Sequence, residues 1–252
     1  MPAADAGQYE SSPLQARLTH DCFKQPDDPH SKVWRYMTLP KFVSLLTSGY
    51  LHMTRLDKLD DKYEGRLSRK TIESIDTYLR KQDTSGWTEE NMSFYERSRS
   101  NTFISCWHMN EHESEAMWRL YCGACGGIAI QTTYDKLVKS IASEFETYLG
   151  IVNYVDYTTA TFQSGNAYWP VMHKRISFVH ENEVRLVRYW GDPPYPDKSP
   201  ECLHHPWCLE ESTSIIAVDP YQSAYFYEAV ASILQQFMPS LLPRLQWSGM
   251  KA

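Results

Sequence analysis

NTFISCWHMNEHESEAMWRLYCGACGGIAIQTT, residues 101 to 133, is the stretch whose reading decides the fold. It reads as strand, polar loop, short helix, glycine turn, strand. Thr102, Phe103, Ile104 and Cys106 suit a buried strand, because branched and aromatic side chains pack well on a pleated surface. Ser114 is placed to cap a helix carrying Met117, Trp118 and Tyr121 on one face, at spacings of three and four. Gly123, Gly126 and Gly127 then stop that helix. Ile128 and Ile130 alternate with Ala129 and Gln131, which is the period of a strand. Two apolar strands thus hold between them a loop rich in His and Glu and a helix face rich in aromatics. Such an arrangement suits the edge of a ligand site, and it also suits plain packing.

Upstream, Val33 to Met37 is a short strand, VWRYM, with Arg35 on the face opposite Trp34 and Tyr36. Thr38 and Pro40 start a helix with the stripe Leu39, Phe42, Val43 and Leu46, and Gly49 ends it. Tyr50 to Thr54 alternates as a strand. Residues 55 to 65, RLDKLDDKYEG, form a charged turn. Ile72, Ile75 and Leu79 mark a second helix, and Thr88 to Arg99 a third.

Downstream, the periodicity predicts a helix from Tyr134 to about Tyr148, burying Leu137, Val138, Ile141 and Phe145. Ile151 to Tyr157 reads as a strand and Met172 to Val179 as a helix. Glu183 to Arg188, EVRLVR, is a strand with Val184 and Leu186 on one face and Glu183 and Arg185 on the other. Residues 190 to 212 read as proline-rich loops. Ile215 to Val218 is a short strand, and Tyr225 to Phe237 a last amphipathic helix. Strands and helices intermix without regular βαβ spacing. The expectation is an α+β fold: one domain, residues 32 to 252, with a central mixed or antiparallel-rich sheet and helices packed around it. Residues 1 to 31 carry four prolines among small and acidic residues and read as a mobile extension or a surface strap.

Composition narrows the classes. The 252 residues are 42% hydrophobic, enough for a sizeable core. A net charge of -6 disfavours an extended nucleic-acid surface. No apolar run approaches the roughly 20 residues of a membrane-spanning helix, and residues 1 to 15 lack a signal-peptide core. The expected location is cytoplasmic, with the six cysteines reduced and no structural disulfide. There is no Gly-x-Ser-x-Gly, no P-loop and no Rossmann glycine fingerprint.

Several segments, in order, resemble the widespread microbial family catalogued as domain of unknown function 2971. They are Trp34-Arg35-Tyr36 through Gly49, the turn Asp60-Asp61-Lys62-Tyr63-Glu64, and the strand carrying Cys106. They continue with Met117-Trp118-Arg119-Leu120-Tyr121, Gly127-Ile128-Ala129-Ile130 and Glu181-Asn182-Glu183-Val184-Arg185. The likeness covers most of residues 33 to 235. Asp60 and Lys62 stand where the family has Asn and Pro. The layout is more distantly similar to ADP-ribosyltransferase folds, which place a cationic or imidazole residue on the first strand and a glutamate on a late one. Arg35 and Glu183 occupy comparable places.

That analogy implies a nucleotide-binding enzyme, using NAD as substrate for ADP-ribosyl transfer or glycohydrolysis. Glu183 and Arg35 would be catalytic. The Arg forks of Arg35 and Arg185 would grip pyrophosphate. Tyr36, Trp118 or Tyr121 would stack on the leaving base, and Glu64 would stand nearby. The bland alternative is an Arg–Glu network stitching strands together. Two rivals stay open. One is a silent module binding a nucleotide or peptide, which requires the Arg–Glu pair to be buried and closed off. The other is a metal-dependent nuclease, which requires three or more carboxylates to converge. The acidic turn Asp57, Asp60, Asp61, Glu64 does not fit an EF-hand loop. Cys122-x-x-Cys125 could join His108, His112 or the 202–208 segment on zinc, but lacks a second C-x-x-C. No residue is assigned as a metal ligand.

Overall fold

Alternating strands with two apolar faces must be covered on both sides, and that is how the chain is built. The computed structural model describes residues 20–141, 146–163, 166–191 and 198–251. In order, the elements are β1 (Lys32–Thr38), α1 (Leu39–Ser48), β2 (Tyr50–Arg55), α2 (Arg69–Lys81), α3 (Glu89–Ser100) and β3 (Thr102–Met109). Then come α4 (Glu115–Cys122), β4 (Gly127–Thr133), α5 (Tyr134–Ser140), β5 (Thr147–Ile151), β6 (Asn153–Val155), α6 (Tyr168–Val171) and β7 (His173–Arg175). A 3-10 segment (Ile176–Glu181) leads into β8 (Glu183–Tyr189). The chain continues with β9 (Cys202–Pro206), α7 (Leu209–Ser212), β10 (Ile215–Val218), α8 (Ala224–Phe237) and β11 (Leu245–Trp247).

Among the described residues, nine strands form one mixed sheet, so the α+β expectation holds. All its pairings are antiparallel except β10 with β11. β3 is the hub. Along its whole length it pairs with β8, which in turn pairs with β5. β1 pairs with the end of β3 near His108 and Met109, while β2 pairs near Phe103 and Ile104. The sheet therefore forks. One branch runs β1, β4, β10, β11 and the other β2, β9.

One face carries Val33, Met37, Phe103, Trp107, Ile128, Ile130, Val184 and Leu186, packed under Phe42 and Leu46 of α1 and Val230 and Leu234 of α8. The opposite face has two covers. Met117, Trp118 and Cys122 of α4 lie over Trp34, Tyr36 and Ala129. Phe23, Val171 and Met172 lie over Ile104, Tyr148 and Val187. Between these covers runs a seam floored by β3 and β8. The α4 helix forms as its sequence predicts, with the Ser114 side chain accepting from the Met117 amide. Among the described residues, no helix is long and apolar enough to cross a membrane.

Three expectations need correction. The helix predicted to reach Tyr148 ends at Ser140, and Thr147–Ile151 is the strand β5. Tyr148 and Leu149 pair with Val187 and Leu186, so sheet pairing overrides a helical period that a strand also tolerates. Phe145 lies outside the described residues. The 172–179 helix is instead β7 followed by 3-10 turns, and the loop run at 190–212 contains β9. Residues just before Lys32 pack against the sheet. Phe23 is buried and stacks on Tyr148 at 4.8 Å, and Lys24 bridges Ile151. Gly150 makes room for this strap, since a Cβ there would stand 2.7 Å from the Phe23 Cα.

Candidate functional site

Register settles what each strand contributes. Directly paired residues share a face of the sheet. Trp34 pairs with His108, and His108 pairs with Glu183, so these three face the seam. Cys106 pairs with Arg185, which joins them. Arg35 is one residue out of phase and points the other way. Its guanidinium lies over Trp107, donates to the Ser105 hydroxyl, and donates to the His52 carbonyl at 3.1 Å. Arg35 thus fills the fork between β1 and β2. It takes up a carbonyl in the crotch of the sheet, and burial lowers its pKa to about 10. The expected shared site of Arg35 and Glu183 is not formed: the two side chains lie on opposite faces, with β3 between their strands.

The seam instead collects five charged side chains. Lys174 Nζ meets Glu64 at 3.1 Å, Glu181 at 2.8 Å and Glu183 at 3.4 Å. Arg185 meets Glu183 at 2.7 Å and Glu64 at 3.1 Å, and donates to the Val171 carbonyl. Glu183 is 3% exposed and Arg185 is fully buried. Burial opposes the charge on Glu183, but Arg185 and Lys174 outweigh it and hold the carboxyl down at about 2. Burial also works against Lys174 and Arg185, yet the glutamates raise both. Three glutamates and two cations give a formal charge of -1. The thiol of Cys106 is pushed well up by burial and by Glu183.

Two of the residues singled out from the sequence touch this network. Glu64 is delivered into the seam by the charged turn, which is clamped by Arg175 on Asp61 at 2.8 Å. Tyr121 is 39% exposed, and its hydroxyl reaches Glu181 at 3.3 Å, at the solvent edge of the network. Tyr36 and Trp118 are buried and pack against each other. Trp118 packs edge-on against Tyr36 at 5.0 Å and donates to Glu113, and the Tyr36 hydroxyl accepts from the Ser114 amide at 2.9 Å. Both are scaffold for α4.

Sequence reasoning missed Lys174, Glu181 and the role of His108. Lys174 was hidden in a segment with helical spacing. Glu181 was in view in the Glu-x-Glu-x-Arg pattern. His108 is buried in the seam beside Tyr36, with ring centroids 6.2 Å apart. Its Nδ1 is 2.6 Å from the Glu181 carbonyl and must donate to it. Its Nε2 is then an acceptor, and among the described residues nothing donates to it. Burial lowers the pKa of this imidazole, so it stands neutral at pH 7.

Metal readings fare unevenly. Asp57 pairs with Arg55 and Asp61 with Arg175, so the acidic turn is spent on internal cations. Glu64, Glu181 and Glu183 meet at the Lys174 ammonium, and among the described residues no three carboxylates converge as a metal site requires. Cys122 is buried and donates weakly to the Met37 carbonyl at 3.6 Å, while Cys125 is exposed, and all six cysteines are free. No family model matches this chain, and no curated protein or solved structure matches it either.

Proposed function

We propose that the chain is a binding protein for a small aromatic ligand that donates an N–H, such as the base or nicotinamide end of a nucleotide. The observation that carries this reading is the buried Nε2 of His108. A buried acceptor without a donor costs about 1–3 kcal/mol, so it calls for a partner. A ligand N–H supplies one. Tyr121 offers an aromatic wall at the solvent edge, and the formal charge of -1 favours a donor-rich ring over a phosphate at this spot. The Glu64–Lys174–Glu183–Arg185 lattice then serves as the rigid floor. Its burial fits the silent module better than the transferase, whose glutamate must reach a ribose. Placement in the family of domain of unknown function 2971 rests on the order of its motifs.

The test uses thermal unfolding of the full chain with nicotinamide, NAD and adenosine. A ligand that binds only the folded state stabilises it by about 2.7 kcal/mol at a hundredfold excess over Kd. His108→Asn keeps a donor for the Glu181 carbonyl and withdraws the acceptor from the Nε2 position, since the shorter amide oxygen does not reach it. The expected result is saturable stabilisation of the wild type by one of these compounds and none in His108→Asn. Equal stabilisation of both proteins, or of neither, defeats the reading. Nicotinamide released from NAD, and abolished by Glu183→Gln, would restore the catalytic alternative.

A further inference from the structure

We infer that His52, Cys202 and His204 form a zinc site on the outward side of the β2–β9 ribbon. β2 and β9 are antiparallel, with His52 directly opposite His204 and Thr54 opposite Cys202. Cys202 and His204 are two residues apart, so their side chains leave β9 on the same side. The three side chains therefore converge, and their ligand atoms all lie within 4.8 Å of one another. Among the described residues, no other group of three His, Cys, Asp or Glu side chains does this.

The donor set selects the ion. Two imidazoles and a thiolate are borderline-soft ligands, suited to zinc and poorly suited to magnesium or calcium. Zinc bonds of about 2.0–2.3 Å in tetrahedral array put ligand atoms about 3.3–3.7 Å apart. Rotation of exposed side chains by about one ångström closes that gap. His52 and His204 are exposed and free to make it. The platform beneath them is rigid. The alternate residues Leu51, Met53 and Leu203 are buried in the main core, and Arg35 holds the His52 carbonyl. Pairs presented from a locked ribbon lose little freedom on binding.

Three protein ligands leave a fourth position, which water takes in sites of this type. The ion would also cross-link β9, the end strand of its branch, to β2. None of these residues belongs to the seam, so the inference stands apart from the ligand reading. Sequence offered a partial signal: Cys202-x-His204 has strand spacing, but its partner lies 150 residues upstream in the chain.

The test is titration of the tag-free, metal-stripped full chain with zinc and, for its spectrum, with cobalt. The expected result is one equivalent bound in competition with a chromophoric chelator, and a thiolate-to-cobalt charge-transfer band. Cys202→Ser should lose that band. His52→Ala and His204→Ala should each weaken zinc binding at least tenfold, about the loss seen even for outer-shell partners. Cys125→Ser and Cys208→Ser, at exposed thiols outside the cluster, should change neither readout. Absence of stoichiometric binding overturns the inference. So does unchanged binding in the two His variants, which would mean adventitious capture by a thiol, or loss in Cys125→Ser, which would move the site elsewhere.

Discussion

Arg185→Met is expected to destabilise the fold by about 3–5 kcal/mol, the range for removing one partner of a buried ion pair. Arg185 is fully buried, and its fork ties Glu183 at 2.7 Å to Glu64 at 3.1 Å. Methionine fills much of the same volume, so cavity formation is a minor part of the loss. The larger part is electrostatic. Glu64 and Glu183 would share only Lys174, and the formal charge of the seam would fall from -1 to -2. The Val171 carbonyl would also lose its donor. Denaturant unfolding measures the change. A loss below about 1 kcal/mol would mean that the glutamates protonate or reach solvent, and that the network is not the floor of the seam.

Acid should act on the same network. The Glu183 carboxyl falls from its usual 4.5 to about 2 in the folded chain. A group whose pKa is depressed by folding contributes stability that is whole above its unfolded value. That contribution is lost as pH falls through the folded value. Stability should therefore decline between about pH 4.5 and pH 2, and the decline should be shallower in Glu183→Gln. Equal slopes in the two proteins would remove Glu183 from the account. The substitution itself leaves Arg185 and Lys174 short of a charge, so Glu183→Gln is also expected to fold less stably. This differs from a purely catalytic glutamate, whose amide would be benign to the fold.

The strands β1, β3, β4 and β8 and their local faces were legible, and the relation between strands was not. Alternation in VWRYM and EVRLVR correctly separates Arg35 from Trp34 and Glu183 from Val184. It cannot give the phase of one strand against another, because a shift of one residue exchanges the faces. That single unknown put Arg35 with Glu183 in expectation and on the far side in the fold. The α4 cap at Ser114 and the turn at Gly49, with φ at 70°, were local enough to read directly. β9 was obscured by flanking prolines, and with it the meeting of His204 with His52. Lys174 and His108 gain their meaning from contacts across the seam, 73 residues apart for His108 and Glu181, which no window on the sequence contains.

Trp118→Ala tests the packing of the 101–133 stretch, and it is expected to cost about 3–5 kcal/mol. The indole is 1% exposed, wedged between α4 and the sheet, edge-on to Tyr36 at 5.0 Å. Two losses add. Truncation opens a hole that Tyr36, Met117 and Ala129 can refill only in part. It also strips a donor from Glu113, which Trp118 Nε1 meets at 3.0 Å. Glu113 keeps the Ser248 hydroxyl and the Gly249 amide, so the C-terminal segment stays tied to the α4 entrance and the second loss is the smaller. Trp118→Phe should accordingly recover more than half of the stability, since the ring matters more than its N–H. The two variants are compared by chemical unfolding. If Trp118→Phe is as damaged as Trp118→Ala, the hydrogen bond to Glu113 dominates. α4 would then be held by its entrance and not by its aromatic face. If neither falls by more than about 1 kcal/mol, the helix is not part of the core, and the cover over Trp34 and Tyr36 must come from elsewhere.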